Sequence, residues 1–127
     1  MAELCPFCLE NGALKDKPLY VGSNFFVLGM LDPSRQNGVM IIPRRHVETP
    51  FALTSEEFAA LPEALAVAKK HHAHIDGKGF TIGWNVGAVA GQTVAHVHLH
   101  VVARLDGEPA SYSGLNGLLK LANREQR

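Results

Sequence analysis

His96-Val97-His98-Leu99-His100-Val101-Val102 alternates imidazole with aliphatic side chains. In an extended segment successive side chains point to opposite faces. His96, His98 and His100 are therefore expected on one face of a strand, neighbours about 7 Å apart by the per-residue rise, with Val97, Leu99 and Val101 turned into a core. A single strand histidine is ordinarily a satisfied structural residue. Three in strict alternation would each need a buried partner of their own, so the row reads as chemistry. Either it binds metal, or one imidazole is a nucleophile oriented by the others. Imidazole is largely unprotonated near neutral pH and attacks phosphorus or acyl carbon. Rings about 7 Å apart make a poor trio for one ion, because zinc–nitrogen distances are about 2.1 Å.

The segment before the row is Asn85-Val86-Gly87-Ala88-Val89-Ala90-Gly91-Gln92-Thr93. It is rich in small residues and ends in an amide and a hydroxyl. Such a loop lets backbone N–H groups approach an anion closely. Beside three histidines it suggests a phosphate held next to a nucleophile.

Further out, Phe80–Val86 and Ala95–Ala103 alternate and read as strands. Thr54-Ser55-Glu56-Glu57 has the form of a capping box, predicting a helix that runs to about His74 and ends at Asp76-Gly77. Pro62 falls inside it, to kink the helix or split it. Leu19–Val21 and Phe25–Leu28 flank Gly22-Ser23-Asn24 and predict a hairpin. A loop over 32–38 precedes a buried strand, Val39–Pro43, and Leu115–Asn123 suits a short amphipathic helix. Strands in hairpins, then a helix, then strands give an α+β fold with a mostly antiparallel sheet. His71, His72 and His74 fall in the last turn of the helix, where His⁺ suits the dipole and solvent. Trp84 is expected in the core and Arg44 and Arg45 in solvent.

The chain has 127 residues, 46% of them hydrophobic, with 12 Lys plus Arg against 12 Asp plus Glu. One domain over residues 1–127 follows. Zero formal charge gives no field for nucleic acid or an anionic membrane, and no apolar run approaches the roughly 18 residues of a membrane span. The first residues lack a basic region followed by an apolar stretch, so a cytoplasmic location is expected.

Cys5-Pro6-Phe7-Cys8 holds both cysteines of the chain. A thioredoxin-type motif should follow a strand, for which residue 5 leaves no room. Two inert thiols are a second reading. A zinc half-site is the preferred one, C-x-x-C being a common knuckle spacing, and two histidines from elsewhere would complete it.

The stretch from Asn85 to Arg104, together with Gly38-Val39-Met40-Ile41-Ile42-Pro43-Arg44-Arg45-His46 and the helix after it, resembles the histidine triad (HIT) superfamily, of the zinc-containing C-x-x-C type. The resemblance covers a core at about residues 5–105, leaving a tail at 106–127, and implies a five-stranded, mostly antiparallel sheet with a long helix, in a homodimer; Phe7, Phe25 and Val27 are then candidate walls of a base pocket. It implies a nucleotidyl hydrolase or transferase acting on a phosphoramidate, a dinucleoside polyphosphate or a similar nucleotide ester. The middle histidine of the motif, His98, would be the nucleophile and form a covalent nucleotidyl-histidine that water resolves. His100 would assist and contact phosphate oxygens. Asn85, Gly91, Gln92 and Thr93 match positions that hold phosphate or leaving group. Cys5 and Cys8 would pair with His46 and His96 around a structural zinc.

Three positions depart from the family pattern. Gly38 stands where many members carry a fourth histidine, and Met30 where a ribose-binding aspartate is common, with Asp32 two residues on. The motif ends Val102-Ala103-Arg104 in place of Pro-Arg. The departures motivate an alternative, a non-catalytic nucleotide-binding module on the same fold.

Overall fold

Phe25–Gly29 and Gly38–Pro43 are apolar on both sides, and both of their faces are covered. The computed structural model describes residues 5–12, 14, 17–29, 38–71 and 79–104. In chain order the strands are β1 (Tyr20–Val21), β2 (Phe25–Gly29) and β3 (Gly38–Pro43), then helix α1 (Ser55–His71), then β4 (Gly79–Trp84) and β5 (Leu99–Arg104). Single 3-10 turns occupy Leu9–Asn11, Pro50–Ala52 and Ala88–Ala90. The five strands form one sheet in the order β1-β2-β3-β5-β4, each neighbouring pair antiparallel. This is the α+β layout with a five-stranded antiparallel sheet and one long helix that the sequence implies. Among the described residues no helix is long and apolar enough to cross a membrane.

The sheet has two different faces. On one, Phe25, Val27, Val39, Ile41, Leu99 and Val101 pack against Ala64 and Ala68 of α1. On the other, Phe26, Leu28, Met40 and Ile42 pack against Phe7. Each fully buried aliphatic or aromatic side chain contributes roughly 1.5–3 kcal/mol relative to exposure, so these two layers hold the sheet between the helix and the N-terminal knuckle. The side chains proposed as walls of a base pocket belong to these layers instead. Phe7, Phe25 and Val27 are all buried core, because strand alternation sends Phe25 and Val27 under the helix.

The capping box forms as expected. The Glu57 N–H donates to Thr54 Oγ1 at 3.1 Å, and the Thr54 N–H donates to Glu57 Oε1 at 2.9 Å. Arg45 adds a forked pair to the same carboxylate at 2.8 and 3.2 Å. Arg44 pairs with Glu10 at 3.0 Å. Pro62 neither splits nor ends α1, which runs unbroken through it. Leu61, Ala64, Leu65 and Ala68 hold both sides of the proline on the sheet, which offsets the one hydrogen bond a proline forfeits. Met30, Asp32 and the rest of the loop before Gly38, His72, His74 and the end of the helix, and the tail helix at 115–123 lie outside the described residues.

One expectation is corrected. β5 begins at Leu99, not at Ala95, so His96 and His98 precede the ladder and only His100 stands in it. The cause is competition for backbone partners. The Val97 N–H bonds to the Val47 carbonyl at 2.8 Å, and the His96 ring takes the Pro43 carbonyl. The segment is thereby held at the end of β3 and on the loop that follows it, outside the ladder.

Candidate active site and metal centre

Where the chain leaves β5 backwards, its alternation persists in packing though not in pairing. Val97 turns into an apolar cluster with Val47, Leu53 and Trp84. His96 and His98 turn the other way, toward Phe7. The triad is not an even row. The His98 and His100 rings lean together edge to face with centroids 4.9 Å apart, nearer than the backbone repeat of about 7 Å in a strand, and His96 is directed elsewhere.

His96 is fully buried and faces the cysteines. Its Nε2–H donates to the Pro43 carbonyl at 2.7 Å. A carbonyl only accepts, so Nδ1 carries the lone pair. Nδ1 lies 3.4 Å from Cys5 Sγ and 3.5 Å from Cys8 Sγ. His46 Nδ1 approaches Cys8 Sγ to 3.1 Å. The four ligand atoms of Cys5, Cys8, His46 and His96 all fall within 4.8 Å of one another. Around a tetrahedral zinc, sulfur and nitrogen ligands sit about 3.6 Å apart, so the set fits such an ion with little movement. Burial holds the His96 imidazole below the usual histidine range, which keeps it a neutral ligand. Burial, helped by the neighbouring Cys5 thiol, pushes Cys8 up to about 11. A divalent cation would reverse that preference, because thiolate is the ligating form. Four protein donors fill a tetrahedron, which is the pattern of a structural site.

His98 is 5% exposed. Its Nδ1–H donates to the His96 backbone carbonyl at 2.9 Å. That bond fixes the tautomer and leaves Nε2 with its lone pair, the state a nucleophile or base needs. The Phe7 ring packs edge to face on it at 5.1 Å. His100 is half-buried on β5, paired across the sheet with Met40 on one side and Gly83 on the other.

The small-residue loop is shaped by two glycines in the left-handed region, Gly87 at φ 86° and Gly91 at φ 100°, where a β-carbon would be strained. A β-carbon at Gly91 would lie 4.0 Å from the Asn85 amide, so the turn brings Asn85 and Gly91 face to face. Gln92 is half-buried. Its Oε1 accepts from the Gly87 N–H at 2.7 Å, and its Nε2 donates to the carbonyls of Glu48 and Val94, each at 2.9 Å. Thr93 is exposed in the same segment. Sequence reasoning brought Gln92 to this loop but missed its three backbone partners, and it missed the carbonyls of Pro43 and His96. Backbone acceptors have no residue-type signal, and only the i, i+2 spacing of His96 and His98 hinted at the last.

Among the described residues the chain thus joins a five-stranded antiparallel sheet and one long helix to a C-x-x-C/His/His cluster and a histidine of fixed tautomer. The HIT domain family model matches residues 11–107, and the chain belongs to the HIT family. It is 26% identical over 106 residues to an uncharacterized HIT-like protein of Methanocaldococcus jannaschii, covering 83% of this chain and 82% of that one. It is 38% identical over 80 residues to the bis(5'-adenosyl)-triphosphatase of Dictyostelium discoideum, covering 62% of this chain and 54% of that enzyme, so the match spans about half of the relative's length. Its fold is similar to that of a zinc-bound histidine triad family protein from Mycobacterium smegmatis, with a TM-score of 0.69, 28% identity, and 96% and 94% of the two chains covered.

Proposed function

We propose that this chain is a nucleotidyl hydrolase or transferase that acts on a phosphoramidate, a dinucleoside polyphosphate or a similar nucleotide ester, with His98 as nucleophile. The observation that carries the reading is the bond from His98 Nδ1–H to the His96 carbonyl, which leaves Nε2 as the nucleophilic nitrogen. Nε2 attacks the α-phosphorus. The Nε2–P bond forms as the bond from phosphorus to the leaving oxygen or nitrogen breaks, and the leaving group takes its proton from solvent water, which regains one when water resolves the intermediate. The ring is then cationic, and the His96 carbonyl faces its Nδ1–H throughout. Water next attacks the same phosphorus, the Nε2–P bond breaks, and nucleoside monophosphate leaves with His98 neutral again. His100, one ring away, contacts the phosphate oxygens. Asn85, Gly91 and Thr93 line the loop around the phosphate, and Gln92 serves it by holding that loop in shape. One preorganised donor to developing phosphoryl charge is typically worth about 3–4 kcal/mol of barrier.

Cys5, Cys8, His46 and His96 would hold a structural zinc, which ties the knuckle and the 43–47 loop to the residue whose carbonyl orients His98. The domain spans residues 1–127, works in the cytoplasm and pairs as a homodimer. Among the described residues β4 is an outer strand of the sheet, and Ile82, exposed on it, supports the pairing. Release of nucleoside monophosphate from an adenosine 5'-phosphoramidate, retained in wild type and absent in His98→Ala, is the test. Full turnover by that variant would refute the assignment. Gly38, which pairs with Val102 on β3 and supplies no side chain where many members have histidine, favours the second reading, a non-catalytic nucleotide-binding module. Tight mononucleotide binding by calorimetry with no turnover across a substrate panel would select it.

A further inference from the structure

Phe7 sits between the two thiols of the knuckle and is 1% exposed. Its ring meets the His98 ring edge to face, centroids 5.1 Å apart and planes at 79°. It also meets His96 at 6.3 Å and 78°. Phe26, Leu28, Met40 and Ile42 close around it in the same buried cluster. The knuckle needs no aromatic residue at this position to bind metal, since a tetrahedral site asks only for its four donors.

We propose that Phe7 is a positioning residue that sets the rotation of the His98 ring and carries the geometry of the knuckle to the nucleophile. The inference rests on the reading of His98 as nucleophile. The bond from Nδ1–H to the His96 carbonyl restrains one atom of the ring and leaves the ring free to swing about that atom, which moves Nε2 off its line to phosphorus. A flat, fully packed ring against the imidazole removes that freedom, since edge-to-face aromatic pairs have a defined preferred geometry. The His100 contact at 4.9 Å and 68° adds a second restraint, but His100 is half-buried while Phe7 is held by the core on every side described above.

The test compares Phe7→Leu with Leu28→Val in the zinc-loaded full chain. Both variants loosen one buried cluster, and only the first removes a ring from His98. Phe7→Leu is expected to lower kcat by about 10–100-fold, the range a misplacement of about 1 Å produces, with KM within about twofold and zinc per chain unchanged by atomic emission. Leu28→Val is expected to keep kcat within about twofold. Imidazole ¹H–¹⁵N correlation spectra supply a readout independent of turnover: a single His98 ring signal in wild type and Leu28→Val, and a broadened or doubled one in Phe7→Leu. Equal kcat losses in the two variants, zinc loss in step with kcat in Phe7→Leu, or an unchanged His98 signal in that variant would overturn the proposal. A wild-type chain without turnover defeats the catalytic reading instead, and the spectra then decide on Phe7 alone.

Discussion

Gln92→Ala separates two ways in which an amide next to a phosphate loop contributes to the reaction. The side chain joins three segments: the loop at the Gly87 N–H, its own segment at Val94, and the connection between β3 and α1 at Glu48. Net stabilisation per intramolecular hydrogen bond is about 0.5–1.5 kcal/mol. Water replaces part of what a half-buried site loses, so about 2 kcal/mol of local stability is the expected loss across the three bonds. Since 1.36 kcal/mol is a factor of ten, loop opening should become about 30-fold more frequent. Hydrogen exchange followed by NMR at the Gly87 and Val97 amides reads this directly. The Gly87 amide loses its acceptor and should exchange about 30-fold faster. Val97, bonded to the Val47 carbonyl at 2.8 Å, should change far less. The value of kcat/KM should fall through both constants, because a loop that samples open states binds and orients phosphate less well. Gln92→Glu should be worse, since it keeps an acceptor for Gly87 and turns a carboxylate on two carbonyls. Unchanged Gly87 exchange with a raised KM alone would refute the loop-holding role and make the amide a direct ligand.

Three further outcomes follow. His98→Ala should abolish nucleoside-monophosphate release and leave the far-ultraviolet circular dichroism unchanged, and a full burst of product from that variant would contradict the assignment. Cys8→Ser should lower zinc content and thermal midpoint together, by several kcal/mol of folding free energy given how strongly structural zinc couples to folding; unchanged metal by atomic emission would remove the ligand set. Hydrogen bonds from Arg45, with Thr54 adding to them, hold the Glu57 carboxyl below its ordinary value, so its folded pKa lies under its unfolded one. Its contribution is present above the unfolded pKa and lost as pH falls through the folded value; Glu57→Gln should flatten the acid limb of stability against pH, and an identical limb in calorimetric scans from neutral to acid would contradict the linkage.

How far these features were legible in the sequence depends on whether they are side-chain patterns or backbone partnerships. The alternation of Val97, Leu99 and Val101 foretold their burial correctly, because burial follows side-chain type whether or not the backbone is paired. The start of β5 was not legible. An extended segment pairs with whichever carbonyls are nearest, and here the Val47 carbonyl beyond the end of β3 takes the Val97 N–H while the Pro43 carbonyl at that end takes the His96 ring. The capping box was legible in full, since both partners lie within four residues. The candidate metal ligands were legible only as a half-site, and the assignment of His46 and His96 came from resemblance. The buried fate of Phe7, Phe25 and Val27 was missed because an aromatic residue near a site reads equally well as wall or as core until the opposing layer is known.

The three histidines look equivalent in sequence, and their hydrogen bonds make them unequal. If His96 were one of three like catalytic rings, one of its nitrogens would remain for phosphate. Neither does: Nε2–H is occupied by the Pro43 carbonyl, and Nδ1 is turned to the thiols. His98 has the opposite polarity, with Nδ1–H occupied and Nε2 carrying the lone pair. The residue whose ring would hold the metal is also the residue whose carbonyl sets that polarity. Spacing makes this economical, because a carbonyl at position i meets the ring at i+2 without any further element. A metal bound at His96 would therefore act on His98 through that carbonyl and, on the proposal above, through Phe7. Metal loss should then disorder the nucleophile before it unfolds the sheet, whose core on the helix side contains none of these groups.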